Sequence, residues 1–415
     1  MHIVFFGDQH LESLGGAQVS MRLQRRFLEK AGHTVSVVAP AMHGPRARAA
    51  GPDPAYLDLP SIPITADREY SLTWPGRRTD AVVDRLLAGR PPVDVVHVQA
   101  DFWGAFIGHR FARRHGLPVV HTMHNRVDVG IEAVSPVPGL TLRALNLWER
   151  RALGWSEPAP AGRDGWSFLR RLAAMSHAVT APSSHFARRL EDHGVVPLAR
   201  RGLRGFADAP LPAPHVDVVW NGIDDDILAE VLPTAEPRRR PGRPRFIWLG
   251  RMSPEKRLLP FLEAVADSGV DADVLVLGGG AQLRAARRLV ATRRPAASVV
   301  FGGRMSYPDT LRAIADADAL VQTSIGFETQ GMTPFEAASL GTPSVISDPD
   351  IGAELESGFW AVPGPSVAAL ADTLRRTAGD IAAGQAVPVN PDVQERFRQS
   401  SRTAAMLAVY ERVIA

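Results

Sequence analysis

Residues 1–40 read MHIVFFGDQHLESLGGAQVSMRLQRRFLEKAGHTVSVVAP, and this stretch decides the fold class. HIVFFG (2–7) is an unbroken apolar run closed by glycine, VSMRLQRRFLEKAGH (19–33) carries helical periodicity and ends in a glycine turn, and TVSVVAP (34–40) is a second apolar run. Strand, helix and strand in that order open a parallel sheet. The alternation continues through VDVVHVQ (93–99), a helix over 102–115, LPVVHTMHN (117–125), SHAVTAPSS (176–184) and VDVVWNGID (216–224), which predicts one doubly wound domain over residues 1–220. Residues 126–172 break the rhythm with Pro136, Pro138 and the amphipathic stretch LTLRALNLWERRALGW (140–155), an insertion suited to shaping a substrate cleft.

VLPTAEPRRRPGRPR (231–245) has four prolines and no periodicity, and reads as an exposed linker. The same αβ alternation then restarts in RFIWLGR (245–251), DVLVLGGG (273–280), SVVFGG (298–303), ALVQTS (319–324) and PSVISD (343–348). A second domain over 221–390 is predicted, followed by a C-terminal helix within 391–415 that packs back on the first domain. The expected fold is α/β: two doubly wound Rossmann-like domains with the carboxyl ends of their strands facing a common cleft, where open sheets of this kind bind ligands.

The chain has 415 residues, 45% of them hydrophobic, enough for two cores. It contains no cysteine, which excludes disulfides, thiolate nucleophiles and zinc-thiolate sites. No apolar run reaches the length of a membrane span, and MHIVFFGDQH lacks the basic start of a signal peptide. A cytoplasmic protein is expected, with peripheral contact on the inner face of the membrane as a further expectation from the basic and aromatic composition of 100–190. The formal charge is +3, and Lys30 and Lys256 are the only lysines. Arginines cluster at Arg22, Arg25 and Arg26, at Arg110, Arg113 and Arg114, at Arg150 and Arg151, and at Arg170 and Arg171. Solvated helix faces explain them as readily as an anionic partner does. A nucleic-acid partner is not expected, because no recognition motif accompanies the arginines.

Chemistry concentrates in two segments of the second domain. GFETQGMTPFEAASLGTPSVISD (326–348) sets Glu328 eight positions before Glu336, with Gly331, Met332, Thr333 and Pro334 where a helix begins. A helix N-terminus offers backbone N–H groups to an anion, and carboxylates accept from vicinal hydroxyls. An ordinary loop carboxylate and a charge favoured by the helix dipole account for the same two residues. LGRMSPEK (249–256) places Arg251 and Lys256 between a strand and a helix, a position for a diphosphate, although Ser253, Pro254 and Glu255 would equally suit a simple helix start. Two cations there would neutralise charge on a departing diphosphate without a metal.

In the first domain, Gly15 and Gly16 follow the first strand, and Gln18 lies just inside the next helix. The pair is too closely spaced for a dinucleotide fingerprint. HTMHN (121–125) sets His121, His124 and Asn125 at the end of a strand, a spacing that points the two imidazoles to opposite faces and argues against a metal site. His97 reads as a packed histidine, and His10 is placed on the acceptor side by position alone.

Taken together, GGAQ (15–18), DVVHV (94–98), LPVVHTMH (117–124), TAPSS (180–184), WNGID (220–224), LGRMSPEK (249–256) and the E-x7-E pattern followed by LGTPSV resemble the retaining glycosyltransferases of family 4, of the GT-B fold class. The resemblance implies transfer of a hexose from a nucleotide-diphosphate sugar of the GDP-mannose or UDP-glucose type to a hydroxyl acceptor. It implies a same-face mechanism with no cofactor and no metal. It gives Glu328 the donor sugar, Glu336 the ribose, Arg251 and Lys256 the diphosphate, Gly303, Arg304 and Met305 the base, and Gly16 and Gly331 to Thr333 backbone contacts to phosphate and sugar. His124 would lie nearest the anomeric carbon, with Gln18, His10 and Asn125 on the acceptor side. The commoner family form has glycine, aromatic, glycine after the first glutamate; here Thr329, Gln330 and Gly331 stand there, a form similar to that of glycolipid-forming members. A nucleotide-sugar 2-epimerase of the same fold is the alternative reading.

Overall fold

A computed structural model of the chain describes residues 1–13, 15–44, 47, 51, 53–65, 68–154, 162–199, 214–232 and 242–415. Most of the proline-rich linker, residues 233–241, and residues 155–161 of the insertion lie outside them. The chain divides into two compact units, Met1–Gly222 with Arg402–Ala415, and Ile223–Ser401.

The first unit holds a seven-stranded sheet of β1 (His2–Gly7), β2 (Thr34–Pro40), β3 (Tyr56–Leu59), β6 (Val95–Gln99), β7 (Val119–Thr122), β8 (Ala178–Ala181) and β9 (Asp217–Val218), in the order β3-β2-β1-β6-β7-β8-β9. Every pairing is parallel. A short hairpin, β4 (Ile62–Pro63) with β5 (Ser71–Leu72), stands apart from it. All six residues of β1 are buried. Val4 and Phe6 belong to one core and Ile3 and Phe5 to the other, because successive side chains leave a strand on opposite faces. That is why the strand reads as an unbroken apolar run. WNGID, after β9, contributes no strand residues.

One face is closed by Met21 and Leu28 of the helix Gly16–Lys30 and by Met406, Val409 and Tyr410 of the C-terminal helix Gln399–Ile414. Residues 391–401, expected with the first domain, stay with the second unit. Phe397 packs on Phe335 at 4.6 Å between ring centroids, and the Asp225 carboxylate accepts from the backbone N–H and hydroxyl of Ser400. The division therefore falls at Arg402.

The second unit is a six-stranded parallel sheet of β10 (Arg245–Arg251), β11 (Asp273–Gly279), β12 (Ser298–Gly303), β13 (Ala319–Gln322), β14 (Ser344–Ile346) and β15 (Phe359–Ala361), ordered β12-β11-β10-β13-β14-β15. In each sheet the order reverses direction once, between β1 and β6 and between β10 and β13. Such switch points open a crevice at the strands' carboxyl ends, because the loops on either side leave toward opposite faces. Among the described residues, no helix is long and apolar enough to cross a membrane.

Candidate active site

In the second unit the switch point gathers the loops that follow β10 and β13. Arg251 is the last residue of β10, and a single 3₁₀ turn, Pro254–Lys256, leads into the helix Leu258–Ser268. Lys256 forms an ion pair with Glu328 of the loop after β13, and the Ser324 hydroxyl donates to the same carboxylate oxygen at 2.7 Å. The Thr323 hydroxyl donates to the Lys256 carbonyl at 2.7 Å and accepts from the Trp248 indole at 2.9 Å. Both ends of the Lys256 residue are thus fixed. Arg251 stays largely in solvent, with a long 3.4 Å contact to Glu255. Ser253 stands at the N-cap position of the turn, with Pro254 as its first residue, but does not bond the turn's backbone.

The helix after Glu328 runs Met332–Ser339, one residue earlier than Thr333 suggested, behind Gly331 in the left-handed conformation (φ 74°) and without a side-chain cap. A methyl group at Gly331 would stand 2.9 Å from Ile351 Cδ1. Glu336 lies on the second turn of this helix. It is buried and accepts a 3.0 Å hydrogen bond from the Tyr307 hydroxyl. Burial lifts its carboxyl to about 7 against the opposing pull of that bond, and burial and Glu336 together raise the Tyr307 phenol well above its ordinary value. Gly303 (φ 72°), Arg304 and Met305 form the turn leaving β12. β11 and β10 meet closely at their carboxyl ends, where a methyl at Gly278 would lie 2.0 Å from the Gly250 carbonyl oxygen. Thr329 is partly exposed and Gln330 buried in the same loop as Glu328.

In the first unit the β1/β6 switch point holds a buried polar cluster that local pattern did not reveal. The Asp8 carboxylate accepts from the backbone N–H groups of Asp101 (2.8 Å), Phe102 (3.0 Å) and Gly104 (2.8 Å). It thereby fills the N-terminus of the helix Trp103–His115. A methyl at Gly104 would stand 2.5 Å from the Gly7 carbonyl, so glycine is what lets this helix approach β1. The helix Gly16–Lys30 starts without a side-chain cap, and a methyl at Gly16 would meet nothing within 4 Å. Of these two N-termini beside β1, the one at Gly16 is therefore the one left without a side-chain cap. The Gln18 side chain folds back over Gly15.

Asn125 donates to Asp101 at 2.6 Å, and His124 Nε2 donates to Gln99 Oε1 at 3.3 Å. Burial lowers the His124 imidazole to about 4, which keeps it neutral. His121 is turned away, bonded to the Ala100 carbonyl at 2.8 Å and to His109 at 3.2 Å. His97 is packed, held between the Tyr410 hydroxyl (2.6 Å) and Thr122 (2.7 Å). His10 does not join this group: its ring faces Tyr56, Nε2 lies 3.3 Å from Asp58, and Nδ1 accepts from the Glu12 backbone. Asp8, Gln99, Asp101, Ser324 and Tyr307 were missed by sequence reasoning. The one available signal was the polar string QAD at 99–101, directly after an apolar strand.

Asp101 is fully buried, and among the described residues its Oδ1 has no hydrogen-bond partner. Burial first, and the neighbouring Asp8 second, push its carboxyl up to about 8, and burial pushes Asp8 up to about 6. A folded-state value above the unfolded one means that folding favours the neutral acid. The contribution is complete below the unfolded value of 3.8 and is lost as pH rises through about 8. Asp101→Asn, which keeps the neutral shape, is expected to narrow the stability difference between about pH 5 and pH 9 seen in urea titrations of the wild type. An unchanged difference would mean that Asp101 is ionised throughout.

The arginine clusters resolve largely into internal bonds. Arg25 pairs with Asp53, Arg110 and Arg114 with Asp80, and Arg171 with Glu149, while Arg113 donates to the Leu153 carbonyl.

Two protein-family models match the chain, Glycosyltransferase Family 4 over residues 14–201 and Glycosyl transferases group 1 over residues 234–380. The chain is 24% identical over 348 residues to an alpha-monoglucosyldiacylglycerol synthase of Streptococcus pneumoniae, covering 83% of this chain and 70% of that protein. Among solved structures it is similar to a sucrose-phosphate synthase of Thermosynechococcus elongatus (TM-score 0.66, 17% identity, 100% of this chain and 99% of that one). It is also similar to Anabaena HepE in complex with UDP-glucose (TM-score 0.60, 14% identity, 99% of this chain and 100% of that one). With a family model on each unit and two Rossmann-like parallel sheets beneath them, the chain belongs to the family 4 glycosyltransferases of the GT-B type.

Proposed function

We propose that this glycosyltransferase moves glucose from UDP-glucose to the hydroxyl of a diacylglycerol-type lipid or glycolipid, with retention at the anomeric carbon and without a metal. The observation that carries the proposal is the Lys256–Glu328 pair at the β10/β13 switch point, within the unit that matches the group 1 model. Glucose and a lipid acceptor are supported by the name of the Streptococcus relative, and UDP by the ligand of HepE. The ETQG loop around Glu328 agrees with a lipid acceptor.

In this proposal Glu328 accepts from the donor sugar hydroxyls, and Arg251 and Lys256 take the diphosphate. Glu336, released from Tyr307 or sharing it, meets the ribose. The turn Gly303 to Met305 borders the base, and Gly331, Met332 and Thr333 offer backbone N–H groups. From the first unit, Gly16 serves phosphate, His124 the transferred sugar, and Gln18 and Asn125 the acceptor. The acceptor oxygen bonds to the anomeric carbon as the bond to diphosphate breaks. The electron pair goes to the phosphate oxygen, which takes the acceptor's proton, and the two cations stabilise the charge that develops there. Work at the inner face of the cytoplasmic membrane follows from a lipid acceptor and a nucleotide-sugar donor.

A donor panel tests this. With UDP-glucose, GDP-mannose and their N-acetyl relatives in chelator, UDP-glucose is expected to give the largest thermal shift, on the order of 2.7 kcal/mol of stabilisation at a hundred times its dissociation constant. Glucose transfer to diacylglycerol should then follow. Preference for GDP-mannose overturns the donor assignment. Epimerisation of the nucleotide sugar with no acceptor present overturns transfer itself.

A further inference from the structure

We propose that the outward face of the helix Pro138–Leu153, together with Trp74 beside it, is a docking surface for an anionic lipid bilayer. The helix is held in one orientation by its inner side, where Glu149 and Asn146 meet Arg171 of the helix Gly165–Ala174. That anchoring turns Leu140, Arg143, Leu147, Arg150 and Arg151 outward, along one stripe at helical spacing. Leu140 is 66% and Leu147 67% exposed. Trp148, next to Leu147, packs its ring at 5.2 Å from Trp74, which is itself 66% exposed.

An isolated exposed leucine needs no explanation, but two on one helical stripe, with an exposed tryptophan stacked on that helix through Trp148, place several large apolar groups on one side of the unit. Exposed arginines accompany these groups. Arg77 and Arg78 follow Trp74 closely in the chain and are exposed. None of these two, Arg143, Arg150 or Arg151 forms an ion pair among the described residues, in contrast to the paired arginines of the helix Trp103–His115. The only acidic residue of the helix Pro138–Leu153 is Glu149, which is turned inward.

Apolar tips, a tryptophan and unpaired arginines on one face match the interface of a bilayer with negatively charged headgroups. The hydrocarbon groups enter the acyl boundary while the guanidinium groups stay at the phosphates. The choice of a bilayer as occupant rests on the lipid-acceptor proposal.

The test is cosedimentation of the full chain with vesicles of phosphatidylcholine alone or mixed with phosphatidylglycerol. Binding is expected only to the anionic vesicles and should weaken with salt. The double variant Trp74→Glu, Leu147→Glu and the double variant Arg143→Glu, Arg150→Glu are each expected to lower vesicle binding by about tenfold or more, with the UDP-glucose thermal shift unchanged as evidence of folding. Vesicle binding equal to wild type in both variants overturns the proposal. So does a wild-type dimer that Leu147→Glu dissociates, which would assign the face to a second copy. The lipid-acceptor proposal fails separately: a protein that binds anionic vesicles but glycosylates no lipid retracts the acceptor and leaves the surface standing. A protein that glycosylates detergent-dispersed lipid yet ignores vesicles does the reverse.

Discussion

Glu328→Ala is expected to lower glycosyl transfer by about a thousandfold or more while the protein stays folded. The carboxylate meets Lys256 and the Ser324 hydroxyl on a loop at the carboxyl end of the sheet, away from the apolar core of its unit. Its removal deletes a largely buried side chain whose partners are polar, and leaves that apolar core intact. The chemistry suffers twice. The sugar hydroxyls lose their acceptor, and Lys256 loses the partner that aims its ammonium where the leaving diphosphate gathers charge. Lys256→Ala should cost about 10² to 10³ in turnover, since one preorganised donor to a developing anion is worth that much. Glu328→Gln separates the two effects, because the amide still accepts from hydroxyls but leaves Lys256 without a counter-ion. Turnover and donor calorimetry on variants with wild-type circular dichroism decide the matter. Wild-type turnover in folded Glu328→Ala would remove this residue from the site.

Arg171→Met is expected to destabilise the protein by about 3–5 kcal/mol, the usual result of stripping one partner from a buried ion pair. Arg171 and Glu149 are both fully buried, with Nε and Nη2 donating to the same carboxylate oxygen at 2.8 and 2.6 Å. Among the described residues the second oxygen has no hydrogen-bond partner. Burial already pushes the Glu149 carboxyl up to about 8, and Arg171 is the largest force pulling it down. The neutral acid is thus the form that folding favours. Its contribution is present below the unfolded value of 4.5 and lost as pH rises through about 8. Without Arg171 the carboxyl moves higher still, so in urea denaturation the deficit of Arg171→Met should grow above about pH 8, where the wild-type carboxyl ionises and the variant's does not. Adding Glu149→Leu should restore most of the lost stability, since replacing both partners by apolar groups is commonly neutral or better. A double variant no more stable than the single one would refute the pairing as the cause.

The two parallel sheets were legible in sequence because most of their central strands are buried on both faces. HIVFFG and RFIWLGR are apolar at successive positions, and the intervening helices carry one apolar stripe each. The positions of Arg251, Lys256 and Glu328 after their strands were legible for the same reason, since a loop follows wherever an apolar run ends. Glu336 was legible as a residue of the next helix, but its environment was not: whether that face met solvent or Tyr307 depends on the helix Tyr307–Ala315 lying beside it.

By itself, then, the sequence determined the kind of sheet, the loops at its carboxyl ends and the family, because each of these is written in short-range pattern. Only the tertiary structure decided which loops become neighbours. Strand order carries no local signal, so nothing near Lys256 states that β13, and with it Glu328, lies beside β10. The same holds for Asp8 with the start of the helix after β6, for Glu149 with Arg171, and for Tyr410 with His97 across 313 residues. A buried polar group needs a partner, but the requirement is satisfied by whatever packing brings near, and long-range packing made each of these pairs.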